Sequence, residues 1–135
     1  MVVEEIIASG PIIINEGKLL VDKDDKDDFY KLPGGRLKEN ESLDETCIRE
    51  AWEEVNADII IIKKLSTLIL NRNPTTNEKM RIELHHYLCD LKNLSEVKPI
   101  HPIKEIKWLD IKEIKRGKYN VAPNIKFLVE KGEVK

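Results

Sequence analysis

The sequence predicts an α+β fold, a mixed β-sheet lying between an acidic helix and a C-terminal helix. Three observations predict it. Short β-branched or alternating segments recur on both sides of one strongly periodic helix at residues 42–55. A Pro at a helix-start position opens a second helical pattern at 123–131. No internal repeat or linker interrupts the 135 residues, a length suited to one domain spanning 1–135 with a real core.

The elements follow in chain order. Val2 to Ile7 reads as a strand. Ile12–Asn15 and Lys18–Val21 flank Glu16-Gly17, a hairpin signal. The run Asp22-Lys-Asp-Asp-Lys-Asp-Asp28 is a solvated loop; a calcium loop is excluded, because glycine is missing at its sixth position and Pro33 stands where the twelfth-position Glu belongs. Phe29–Leu32 is a short strand entering Pro33-Gly34-Gly35. The β-branched run Ile59–Leu70 is read as one strand, and Asn71–Asn77 as a loop. Residues 79–91 alternate, placing Met80, Ile82, Leu84, His86 and Leu88 on one face and Arg81, Glu83, His85, Tyr87 and Cys89 on the other. Glu105–Leu109 is a short strand. Asp110 caps a short helix over Ile111–Arg116, and Pro123 at the first position opens the last helix.

Composition excludes several classes of function. Charged residues make up 36% of the chain, yet the net charge is −2. No broad basic field favours duplex nucleic acid, although Lys104, Lys107, Lys112, Lys115, Arg116 and Lys118 make the C-terminal third modestly basic. An apolar content of 41% indicates folding rather than disorder. No apolar run reaches the roughly 18 residues of a membrane span, and Met1–Glu5 shows no secretory pattern. Cys47 and Cys89 are isolated, with no zinc-type spacing. A reducing cytoplasm is therefore the expected location, and a homodimer remains compatible with the chain.

The chemistry concentrates at 35–57. Ser42 can cap the helix start, with Glu45 completing a capping box. Leu43, Cys47, Ala51 and Val55 form an i, i+4 apolar stripe that Ile48 and Trp52 widen. Glu50, Glu53 and Glu54 fall on another side at i, i+3 and i+4 spacing. Across Glu41–Glu54 one Arg, Arg49, faces six acids. A solvated acidic face, with Arg49 paired to Glu45 and Glu53, is one reading. Two features favour a cation site: the Gly34-Gly35 turn lets backbone approach a ligand, and a helix start favours phosphate. Hard carboxylate oxygens of this kind suit Mg²⁺ or Mn²⁺, with a substrate's phosphates completing the shell.

At this point the segment resembles the signature box of the Nudix hydrolases, the MutT-type pyrophosphohydrolases. Gly35 is followed by five residues and Glu41, then by seven residues and Arg49-Glu50. Ala51, Trp52, Glu53, Glu54 and Val55 follow in register, after a Leu-Pro-Gly-Gly that also matches common usage. The last glycine of the family pattern is Asn56 here, and the final apolar position is Ala57. Asn is the next best residue for a left-handed helix stop.

The resemblance implies a Nudix-type α/β/α sandwich and hydrolysis of a nucleoside diphosphate linked to another group. It implies Glu50, Glu53, Glu54 and the Gly35 carbonyl as metal ligands, or one of Glu53 and Glu54 polarising the attacking water instead, with Arg49 orienting a carboxylate. Glu41 assists the metal through water or holds the loop. The residues also offer substrate contacts at Arg81 and His85 with Tyr87 on their face, and Phe29 or Tyr30 as a stacking partner. His86 reads as a buried histidine and Glu105 as a surface residue, with His101 nearer the expected position of a further acid. Pro74 lies about where a specificity residue stands in some relatives, without a clean match. The expected partner is a small nucleotide, a triphosphate or an ADP-ribose-like molecule. An RNA 5′-pyrophosphate hydrolase and an inactive nucleotide-binding module are the alternatives.

Overall fold

In a computed structural model describing residues 3–135, seven strands and three helices build a sandwich. The strands are β1 (Glu5–Asn15), β2 (Lys18–Lys23), β3 (Gly35–Arg36), β4 (Ile59–Lys64), β5 (Leu68–Arg72), β6 (Lys79–Leu91) and β7 (Glu105–Asp110). The helices are α1 (Leu43–Val55), α2 (Ile111–Lys115) and α3 (Pro123–Glu130). The path across the sheet is β4-β6-β1-β2-β7, with β3 pairing β1 and β5 pairing β6. Only β1 and β6 pair in parallel; the other named strand pairs are antiparallel. The sheet is therefore mixed, as expected.

Strand alternation sorts side chains into two layers. Ile13, Leu20 and Cys89 face α1 and pack on Cys47, Ala51 and Val55. Ile12, Leu19, Val21 and Leu109 face the other way, onto Ile114 of α2 and Ile125 and Leu128 of α3. Fully excluding these aliphatic side chains from water stabilises by about 1.5–3 kcal/mol each.

Three expectations are corrected. The first two strands are one: β1 runs through Gly10-Pro11 without a break. Pro11 is tolerated because it falls between Ser9, the last residue paired with β3, and Ile14, the first paired with β2. Val2, the expected start, lies outside the described residues. The run Ile59–Leu70 is two strands, because Leu65 turns inward to 7% exposure and Glu133 binds the Ser66 N–H and hydroxyl at 2.7 and 2.5 Å. Phe29–Leu32 makes only isolated bridges, Asp22–Lys31 and Tyr30–Val121.

Helix α1 starts and stops as its sequence requires. The Ser42 hydroxyl accepts from the Glu45 N–H, and the Ser42 N–H donates to Glu45 Oε1 at 3.0 Å. Asn56 ends it at φ 55°, ψ 34°, in the left-handed region. Its buried stripe is narrower than expected. Ile48 and Trp52 are 46% and 54% exposed, because each lies one residue, about 100°, around from the buried line of Cys47 and Ala51.

Candidate active site

The site is built on backbone contact between β1 and the glycine turn. A Cβ on Gly10 would sit 2.0 Å from the Pro33 carbonyl oxygen, and one on Gly34 would sit 2.9 Å from the Ser9 oxygen. Gly34 has φ +152° and donates its N–H to Glu54 Oε1 at 2.8 Å. At Gly35 a Cβ would fall 2.4 Å from the Glu50 carboxylate. The turn thus brings main chain against two carboxylates of α1, a distance that any larger residue would prevent.

Arg49 organises the acids from the centre. Its Nε and Nη2 grip Glu41 at 2.7 and 2.9 Å, a bidentate pair. Nη1 reaches Glu50 at 2.7 Å and Glu53 at 3.0 Å, and Nη2 donates to the Arg36 carbonyl at 3.1 Å. Glu45, expected as an Arg49 partner, is instead occupied by the capping box. The guanidinium and the Thr46 hydroxyl hold the Glu41 carboxyl down at about 2. Glu54 behaves in the opposite way: burial pushes it up to about 8, against the Gly34 N–H, with the Asp22 and Glu50 charges adding to the rise.

Of the three glutamates, Glu50 and Glu53 meet at Arg49 Nη1, while Glu54 turns to the Gly34 N–H. Among the described residues no three acid, His or Cys side chains stand at metal-ligand spacing. The residues nevertheless fit a hard divalent cation. All donors are oxygens, Gly35 leaves its carboxylate partner room, and a buried acid such as Glu54 needs a positive partner to ionise.

Across the turn lies a cavity of about 200 Å³ that shares Gly34 and Gly35 with the acidic side. Its wall includes Phe29, Lys31, Leu84, His86, Pro74 and Asn124. Asn124 Nδ2 and His86 Nε2 are 2.9 Å apart, and among the described residues His86 Nδ1 has no hydrogen-bond partner. Burial holds His86 down at about 4, so it is neutral at pH 7.

The other sequence-derived contacts fall elsewhere. Arg81 and His85 occupy the alternate face of β6 from the cavity-lining Leu84 and His86. There Glu83 binds both, at 3.0 and 2.7 Å. Tyr30 turns away from the cavity: its hydroxyl donates to Glu105 at 3.4 Å, and its ring packs edge-on to Tyr119. Phe29, one residue earlier, is the aromatic that lines the cavity. Glu105 pairs with Lys23 across β2–β7, and His101 is exposed. His86 is buried, as its sequence position suggested, but neither its place at a cavity nor Asn124 was expected. Period-two alternation and the Pro123 helix start were the available signals, but neither says that β6 and α3 meet at a cavity.

A NUDIX domain family model matches residues 6–129. No curated protein sequence matches the chain significantly. Among solved structures, the chain is similar to the MutT protein from Methanosarcina mazei Go1, with TM-score 0.79, 19% identity, and 100% of this chain and 99% of that one covered. It is also similar to the E. coli ORF135 protein, with TM-score 0.75, 21% identity, and 95% and 88% covered. A third is the E. coli dihydroneopterin triphosphate pyrophosphohydrolase, with TM-score 0.72, 16% identity, and 97% of each chain covered. At these identities the likeness carries the sandwich fold.

Proposed function

This chain belongs to the NUDIX family, and from that premise we propose that it hydrolyses a phosphoanhydride bond in a small nucleotide, a nucleoside triphosphate or an ADP-ribose-like molecule, with Mg²⁺ or Mn²⁺. The observation that carries the reading is the shared Gly34-Gly35 turn, which has carboxylates on one side and an apolar cavity on the other. A nucleoside enters beside Phe29, His86 and Asn124, and its diphosphate crosses the turn toward α1. A bound divalent ion neutralises phosphate charge and lowers the pKa of water.

The chain's own residues do the rest. Glu50, Glu53, Glu54 and the Gly35 carbonyl hold the ion, and Arg49 keeps Glu41 and Glu50 oriented. Glu53 is half exposed, and among the described residues its polar partner is Arg49, so it is the freer acceptor for the proton of the attacking water. Arg81 and His85 act, in this reading, as structural partners of Glu83.

A substrate panel with Mg²⁺, read as phosphate released after phosphatase coupling, tests the reading. Activity on one small-nucleotide class is expected, and Glu53→Ala should keep the fold while losing at least about a hundredfold in rate, as when one group of a charge-stabilising site is removed. Hydrolysis confined to 5′-triphosphorylated RNA, with retention on RNA at low salt, would instead favour the RNA-directed alternative. No metal-dependent turnover on any class would point to a nucleotide-binding module.

A further inference from the structure

One carboxylate beside the box helix is used by none of the steps above. Asp22, near the end of β2, is 2% exposed. Alternation places its side chain with Leu20, on the face that packs against Cys47, Ala51 and Val55. Its partner in β7, Ile106, belongs to that same layer. The Asp22 main chain is bonded to Lys31 in both directions, at 2.8 and 2.9 Å. Three residues later Gly34 holds Glu54. Asp22 and Glu54 are therefore anchored to the same short segment, and the charge of one acts on the other.

The Lys31 charge acts on Asp22, but its ion pairs are made with other acids. Lys31 Nζ pairs with Asp24 and Asp27, each at 2.9 Å. Among the described residues Asp22 Oδ2 is buried without a hydrogen-bond partner, an arrangement that is costly unless a charge answers it. Local packing gives no compensation, because its layer neighbours are apolar.

We propose that Asp22 is a positioning residue of the cation site: from the sheet side of α1, its unpartnered oxygen adds negative charge that helps hold a divalent ion bound by Glu50, Glu53 and Glu54. This inference rests on the metal-dependent reading given above. A purely structural rival has Asp22 acting only with Asp24 as counter-charge for Lys31.

Mn²⁺ titration of the nucleotide-free protein, read by electron paramagnetic resonance of the free ion, separates the two. Asp22→Asn keeps the shape and removes the charge. The dissociation constant for Mn²⁺ is expected to rise about 10- to 100-fold, the range for residues that support metal ligands. The metal-free variant should melt no lower than wild type, since a buried carboxyl oxygen without a hydrogen-bond partner is gone. Asp24→Asn, which removes a Lys31 partner, should leave Mn²⁺ binding unchanged. Wild-type affinity in Asp22→Asn overturns the inference, and so does equal weakening in both variants. If Asp22→Asn fails to fold, Asp22→Ser is read in the same way. Absence of Mn²⁺ binding by the wild type overturns the cation-site reading itself, an outcome distinct from the other two.

Discussion

Asn56 stands at φ 55°, and its side-chain amide donates to the Glu96 carbonyl at 3.0 Å, while the Asn93 side-chain amide donates to the Asn56 carbonyl at 2.9 Å. The left-handed backbone costs most residues about 1–2 kcal/mol. Asn56→Ala should therefore lower stability by about that amount in urea unfolding, and Asn56→Gly by less, since only the Glu96 bond is lost. This stop was legible from residue type alone. The pair His85-His86 was not. Alternation separates the two residues, but only the meeting of β6 with α3 decides which one borders a cavity. His86 carries a pH prediction. Its folded pKa, about 4, lies below the unfolded value of about 6.5. The native state thus binds fewer protons between these values, and stability is lost as pH falls from about 6.5 to about 4, by at most about 3 kcal/mol. His86→Leu should lack that loss. Subtracting the two stability–pH curves cancels the other acids, and parallel curves would refute the buried neutral imidazole.

At the scale of elements, the glycine turn and α1 act as one unit, and two glycines fail differently when changed. In Gly10→Ala the new methyl meets backbone, the Pro33 oxygen and Gly34 Cα. Backbone cannot swing aside, so overpacking should cost about 1–3 kcal/mol or more in thermal unfolding. In Gly35→Ala the atoms nearest the methyl are all at the end of the Glu50 side chain. That carboxylate can rotate, so the protein should fold with a near-normal Tm and lose divalent-ion affinity, measurable by calorimetry. A Gly35→Ala protein that bound the ion normally would remove Glu50 and Gly35 from the site. The box helix was legible at this scale because capping, stripe and stop are local and agree with one another. The strand boundaries were not. The break at 65–67 depends on Glu133, which lies 67 residues away, and the continuity of β1 through Pro11 depends on where β3 ends and β2 begins.

For the molecule as a whole, strand order and the face on which the cavity opens follow from long-range pairing, above all the parallel β1–β6 contact. Periodicity reports neither. Charge balance reports more. A net charge of −2 over 135 residues is nearly neutral, yet folding gathers Glu41, Glu50 and Glu53 onto one Arg and buries Glu54 and Asp22 nearby. The unfolded chain spreads those acids out and binds a divalent ion weakly. Mg²⁺ or Mn²⁺ should therefore stabilise the fold without any nucleotide present. At a hundredfold excess over Kd the gain is about 2.7 kcal/mol, a rise in Tm on the order of 10 °C for a chain of this size. NaCl at matched ionic strength should do little, because screening acts mainly on exposed charges. Differential scanning fluorimetry with each salt, repeated on Glu50→Gln, checks both statements. Equal melting curves in MgCl₂, MnCl₂ and NaCl would mean that the acidic helix face, for all its charge, is a solvated surface held together by Arg49.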